Sequence, residues 1–283
     1  MILIADSGST KTQWFLLDNF KQVFETETIG FNPVNLSADE IINEMQTCLF
    51  PLLDKRVGEV KSIYFYGAGC SSAEMQEKMS AIFKKNFVSA SEISVMSDLW
   101  ACIHASCGKN SGISCILGTG SNACVYDGKE IINRLPSLGF ILGDEGSGNH
   151  IGRQMLQSFF YGEMPEILSE IFRNRYQLNE DDFVKVLYSQ NRPNRFLASF
   201  APFASEYRDE PFIRNLLEYC FDTFFRLQIC KLQPEDEKLP LYFVGSIASV
   251  FEKEIREVAS RYNFTVVSII KSPFPSLLNY YIS

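Results

Sequence analysis

Apolar positions in this chain follow two rhythms, and both halves use them in nearly the same order. Ile2-Leu3-Ile4-Ala5 and Trp14-Phe15-Leu16-Leu17 are short apolar runs flanking a Ser/Gly/Thr turn, and 23–28 alternates weakly, so 1–5, 13–17 and 23–28 are predicted strands. Ser37-Ala38-Asp39-Glu40 forms a capping box ahead of Ile41, Met45, Cys48 and Leu49 at helical spacing. A strand over 62–66, a helix over 73–83 and a strand over 93–96 that closes at Ser97-Asp98 follow. The order is β-β-β-α-β-α-β-α, and Lys109-Asn110-Ser111-Gly112 is the natural boundary after it.

Beyond that boundary the hairpin restarts: Ile113 to Leu117, a Gly/Thr/Ser turn, then Ala123-Cys124-Val125-Tyr126. Helical spacing dominates from Ser147 to about Lys231, and the aromatics of the 211–230 segment (Phe212, Tyr219, Phe221, Phe224, Phe225) read as core. A strand over 241–244, a helix over 250–260 and a strand over 265–269 end the pattern. Strands alternating with helices in two halves predict two α/β domains, 1–110 and 111–283, with a cleft between them.

Charge and cysteine use narrow the partners. The 283 residues carry 26 Lys+Arg against 34 Asp+Glu, a formal charge of −8, and the basic residues are scattered, which argues against nucleic acid. No 18-residue apolar run and no signal-peptide pattern appear, so a cytoplasmic protein without a membrane partner is expected. Most of the eight cysteines sit in apolar runs and read as buried free thiols. Cys102, His104 and Cys107 match no standard zinc spacing.

The candidate chemistry lies in the turns. Asp6-Ser7-Gly8-Ser9-Thr10-Lys11 and Gly118-Thr119-Gly120-Ser121-Asn122 are hairpin tips of small residues, whose amides can approach a polyphosphate; either alone reads equally as an ordinary turn. A side chain at Gly8 or Gly120 is expected to be equally harmful. Asp6, at the end of the first strand, suits Mg²⁺. Four further segments stand at predicted strand ends, where open α/β sheets place ligands. They are Gly67-Ala68-Gly69-Cys70-Ser71; Ser97-Asp98, a candidate proton acceptor or a plain helix cap; Gly143-Asp144-Glu145-Gly146-Ser147, suited to sugar hydroxyls or to a solvated turn; and Val244-Gly245-Ser246.

In this order the motifs resemble the N-acetylglucosamine kinase family. That family lies in the actin, hexokinase and heat-shock ATPase superfamily, in the branch shared with activator ATPases of benzoyl-CoA and 2-hydroxyacyl-CoA dehydratases. The resemblance spans residues 6 to 246. It implies two ribonuclease H-like (actin-like ATPase) domains with nucleotide and sugar in the cleft. It further implies Ser7, Gly8, Ser9, Thr10, Lys11, Gly118, Thr119, Gly120, Gly245 and Ser246 around ATP, with Mg²⁺ on Asp6 and Asp98 as catalytic base. Asn122 and Asp144 would bind the sugar hydroxyls, Asn32 and Asn35 would approach its substituent, and Ser71 would be a further contact. Two departures stand out: Ser9 replaces a second glycine of many relatives, and the chain ends Tyr280-Tyr281-Ile282-Ser283 without their Gly-Ala-rich final helix.

The implied activity is transfer of the ATP γ-phosphoryl group to the 6-hydroxyl of N-acetylglucosamine or a close relative; the oligomeric state stays open, a homodimer being the commonest assembly of soluble enzymes. The rival implied by the same branch is a regulatory or activator ATPase acting on a protein partner, although the cysteine spacing lacks its Gly-flanked pair. A sugar sensor without catalysis is a third reading, against which the joint presence of Asp6, Asp98, Asn122 and Asp144 argues.

Overall fold

Fully buried Leu3, Ile4 and Ala5 alternate sides of a strand that pairs with the Trp14–Leu17 run across the first turn. In the computed structural model, which describes residues 1–8, 11–177, 180–190, 192–234 and 238–282, this hairpin is Ile2–Ser7 (β1) and Lys11–Asp18 (β2), followed by Lys21–Ile29 (β3). Ser62–Gly67 (β4) and Glu92–Ser97 (β5) add parallel to β1, giving the order β3-β2-β1-β4-β5. Trp14 anchors this sheet's core: its indole N–H donates 2.8 Å to the Thr28 hydroxyl, and its ring meets Phe31 edge-on at 5.3 Å. The capping box forms at Ser37 and Glu40 and starts the helix Ala38–Glu44.

The second sheet repeats the first. Gly112–Leu117 (β6), Ser121–Tyr126 (β7) and Ile131–Arg134 (β8) run antiparallel, and Leu241–Val244 (β9) and Val266–Ile270 (β10) join parallel to β6, in the order β10-β9-β6-β7-β8. Substituting each strand by its counterpart turns one order into the other, so the repeat seen in the motifs is a repeat of topology. The short strand β8 carries no apolar alternation and was not expected from the pattern. Helices between β8 and β9 pack a large aromatic core that includes Phe221, Phe224 and Phe225, while Tyr219 of the same segment is 54% exposed. That segment is one helix, 211–232, interrupted by a π-turn over Phe225–Ile229.

Two compact units result, Met1–Ala105 with Pro275–Ser283, and Ser106–Phe274. The tail therefore returns to the first sheet as a helix, Ser276–Ile282, of quite different composition from a Gly-Ala-rich one. Buried Leu277 and Leu278 hold it, and Tyr281 bonds the hydroxyl of Tyr66, which also bonds Nδ1 of His104 at 2.7 Å. His104 stacks on Tyr280 at 4.0 Å, and burial lowers its pKa to about 4. His104 thus has a structural partner, and among the described residues no group of three or more His, Cys, Asp or Glu is placed to hold a metal. All eight cysteines are free, six of them buried, with Cys48 and Cys230 exposed.

Candidate active site

In the first unit the parallel register sets Asp6, Tyr66 and Met96 side by side, with Ser7, Gly67 and Ser97 one step on. Side chains alternate along a strand, so Asp6 and Asp98, which follows Ser97 at the start of the helix Asp98–Ser106, belong to the same face at the same sheet edge. Their charges interact: burial first, and then the Asp98 carboxylate, raise the Asp6 pKa to about 7, with Lys11 opposing. Asp98 is raised too, by burial, against the Leu99 amide that donates 3.0 Å to its Oδ1. A desolvated carboxylate beside a like charge is relieved by a divalent cation, so Asp6 fits the Mg²⁺ position in its chemistry.

Other first-unit candidates fall in different places. Ser7 is fully buried, its hydroxyl shared with Thr12 at 2.7 Å and accepting from the Phe31 amide at 2.8 Å, so its side chain belongs to the hairpin interior. Gly8 opens the tip, its N–H donating 2.9 Å to the Lys11 carbonyl, and Ser9 and Thr10 lie outside the described residues. The Lys11 ammonium rests 2.7 Å from Glu27. Asn32 is buried against the Gly69 turn and its Oδ1 accepts from the Val34 amide at 3.0 Å, whereas Asn35 and Ser71 are exposed.

The second unit assembles its candidates around one hairpin tip. The carbonyls of Gly118 and Thr119 accept from the amides of Gly148 and Asn149, at 2.8 and 3.1 Å, which pins the tip to the first turn of the helix Gly148–Phe160. The Gly118 amide bonds the Gly120 carbonyl at 3.0 Å and the Ser121 amide donates 3.1 Å to Asp144 Oδ1. The amides of Thr119 and Gly120 make no bond among the described residues, so they are the donors left for an anion.

Two cavities share this tip. One, of about 390 Å³, is lined by Gly118, Thr119 and Ser246 with Ala198, Pro202, Ile247 and Phe251, and Glu206 adds a carboxylate to this mostly apolar lining. The other, of about 370 Å³, takes Ser121 and Asn122 from the tip and adds Asp144, Glu145 and Gln228. Asp144 holds a left-handed conformation (φ 60°), a strained choice for a non-glycine residue that functional turns favour. Gln228, on the π-turn, donates 2.7 Å to Glu145.

Asn149 went unnoticed in the sequence, where it is one more polar residue in a helix. Fully buried, it donates from Nδ2 to the Thr119 carbonyl at 2.8 Å and to Asp144 Oδ2 at 2.9 Å, tying the walls of both cavities together. Ala198 and Pro202 were equally silent, since their role depends on a long-range return to the tip.

The room around the glycines differs between the two tips. Neither Gly8 nor Gly118 adopts a positive φ, and among the described residues a Cβ there meets the Lys11 carbonyl at 3.7 Å or nothing within 4 Å. Gly120 differs, because its Cβ would lie 2.8 Å from Asp144 Oδ2. Gly245 is required outright: φ is 133° and a Cβ would come within 2.1 Å of the Leu117 carbonyl, where the turn after β9 crosses the end of β6.

A candidate N-acetylglucosamine kinase of Porphyromonas gingivalis is 36% identical to this chain over 100% of it and 99% of its own length, with a TM-score of 0.90. The chain belongs to the N-acetylglucosamine kinase family. A second candidate member, from Chromobacterium violaceum, matches 100% of the chain and 98% of its own at 17% identity and a TM-score of 0.74. The ROK hexokinase of Thermus thermophilus matches 99% and 96% at 12% identity and 0.58. These two likenesses are of fold, and they place the family's doubled sheet among the actin-like and hexokinase folds. No family model matches the chain, and no curated protein is significantly similar to it.

Proposed function

We propose that the protein is an ATP-dependent amino-sugar kinase acting on the 6-hydroxyl of N-acetylglucosamine or a close relative. The observation that carries this reading is one hairpin tip lining two cavities, of which the second also carries Asp144, Glu145 and Gln228. Phosphoryl transfer needs donor and acceptor side by side with hydrogen-bond donors at the transferring group. The mostly apolar cavity beside Gly118 and Thr119 suits a purine ring, and the cavity that holds Asn122, Asp144 and Glu145 suits sugar hydroxyls. The amides of Thr119 and Gly120 on the same tip make no bond among the described residues.

Each residue has a role in this reading. Gly118, Thr119, Gly120, Gly245 and Ser246 surround the nucleotide, with Gly8, Ser9, Thr10 and Lys11 contributed by the first tip. Asp144 accepts hydrogen bonds from the sugar: each of its oxygens already accepts one protein donor, and a carboxylate oxygen has a second lone pair to offer. Asp98, its proton affinity raised by burial, takes the hydroxyl proton as the alcohol attacks. Asp6 would hold Mg²⁺, which offsets phosphate charge when bound. Among the described residues no helix is long and apolar enough to cross a membrane.

The test is ADP release by purified protein with and without N-acetylglucosamine, with phosphorus NMR of the product. Sugar-dependent ADP and a 6-phosphate resonance support the proposal. ADP release of equal rate in both arms points instead to an ATPase serving a protein partner.

A further inference from the structure

The Thr119 carbonyl accepts two donors from one residue, the Asn149 backbone amide at 3.1 Å and its side-chain Nδ2 at 2.8 Å. A carbonyl oxygen has two lone pairs, so this one is fully engaged and its direction is fixed. The peptide that carries it is planar and trans, which sends the N–H of Gly120 the opposite way. The preceding peptide obeys the same rule: the Gly118 carbonyl accepts from the Gly148 amide at 2.8 Å, and the Thr119 N–H points away from that bond. The two tip amides that make no bond among the described residues are thus aimed by anchors on the far side of their own peptide planes.

The same Nδ2 reaches Asp144 Oδ2 at 2.9 Å, and Asp144 lies close against the tip, where a Cβ on Gly120 would stand 2.8 Å from that oxygen. Its backbone is tied to the same helix start, since the Asp144 carbonyl accepts from the Ser147 hydroxyl at 2.6 Å and from the Ser147 amide at 3.2 Å. The orientation of the Asn149 amide is forced. Both partners of Nδ2 are acceptors, and a reversed amide would set oxygen against oxygen. Oδ1 is left buried with no partner among the described residues, an acceptor that packing alone disfavours. What the residue supplies is one NH2 group that holds the tip peptide and the Asp144 carboxylate together.

We propose that Asn149 is a positioning residue for phosphoryl transfer, which makes sugar binding at Asp144 and phosphate binding at the Gly120 amide cooperative. The assignment rests on the amino-sugar kinase reading and adds to it a link between the two substrates. A sugar hydroxyl that bonds Asp144 restricts the carboxylate, the restricted carboxylate holds the Asn149 amide, and that amide fixes the peptide plane presenting the Gly120 N–H. A donor aimed before the phosphate arrives costs no reorganisation during transfer. The coupling is reciprocal, so bound phosphate strengthens the sugar site by the same factor.

The experiment is calorimetry on wild type, Asn149→Ala and Asn149→Ser, with thermal melts to select folded variants. It titrates the non-hydrolysable ATP analogue AMPPNP, and adenosine as a ligand without phosphates, each with and without N-acetylglucosamine at a level that saturates the protein in question. Wild type should bind AMPPNP about fivefold or more tighter with sugar present, and adenosine within about twofold either way. In each folded variant the AMPPNP gain should fall below about twofold, and kcat for ADP release should fall about tenfold or more. A ratio taken within one protein cancels a general loss of affinity, so loosened packing alone does not move it. Variants that keep the wild-type gain overturn the proposal even if kcat falls. A wild type with no gain, or with an equal gain for adenosine, overturns it without any variant while sugar phosphorylation stands. If neither N-acetylglucosamine nor glucosamine binds or stimulates ADP release in a wild type that binds AMPPNP, the amino-sugar reading itself fails and the coupling falls with it.

Discussion

Replacing Gly120 with alanine tests the site geometry with a single methyl group. The new Cβ would stand 2.8 Å from Asp144 Oδ2 and 3.0 Å from both Cγ and Oδ1, so the carboxylate must retreat by a few tenths of an ångström. Retreat is resisted on both oxygens, since the Ser121 amide holds Oδ1 at 3.1 Å and the buried Asn149 holds Oδ2 at 2.9 Å. A hydrogen bond to a charged group contributes about 1.5–3 kcal/mol, and displacement weakens at least one here together with any made to a sugar hydroxyl. At about 1.4 kcal/mol per factor of ten, the sugar Kd should rise roughly 10- to 100-fold, approaching that of Asp144→Ala. The added Cβ points at Asp144 and not along the tip amides, so ATP affinity without sugar should change by no more than about threefold, under ~0.7 kcal/mol. Gly8→Ala is the control for the fold, because among the described residues its Cβ meets one carbonyl at 3.7 Å, an ordinary contact, and its melting temperature should hold. Calorimetric titration of each ligand separately, on variants with native melting curves, decides the matter. Wild-type sugar affinity in Gly120→Ala, or ATP affinity that falls as far as sugar affinity, refutes the reasoning.

Asp98→Asn should lower kcat by about 100-fold or more with nucleotide affinity preserved, as expected of a general base; retention of a tenth of wild-type kcat would leave Asp98 as the helix cap that its bond to the Leu99 amide already describes. Gly245→Ala forces a β-carbon into the Leu117 carbonyl at a φ of 133°, and should destabilise the protein by about 2 kcal/mol or more, seen as a lower denaturant midpoint at unchanged slope. Asp6 has a folded pKa raised from 3.8 to about 7, so between those values the folded state holds the extra proton and stability falls as pH rises, levelling off above about 7. Denaturation series in metal-free buffer should show that slope reduced in Asp6→Asn, and an identical slope in both proteins would argue against the buried carboxylate.

What the sequence alone determined is what neighbouring residues encode. Apolar runs on either side of a small-residue turn specify β1–β2 and β6–β7 as hairpins, because strand alternation and turn chemistry act within about ten residues. The capping box at Ser37 formed for the same reason. Asp6, Asp98 and Asn122 lie at or beside strand ends, as the pattern of runs and turns predicts, whereas Asp144, expected at a strand end, follows the short helix Gly139–Leu142. Tertiary structure decided the rest. The tail helix has no strong local signal; its place comes from burying Leu277 and Leu278 and from the Tyr66–Tyr281 bond across 215 residues of chain. Asn149 became the brace between two cavities only when its helix was pinned to a tip thirty positions earlier. Leu138, Leu142 and Leu227 line one cavity with Asp144 only because a π-turn and a glycine-started helix both reach it. Side-chain pattern is read along the chain over a few ångströms, whereas a cavity is closed by segments that approach through core packing, and that packing depends on the whole sequence at once.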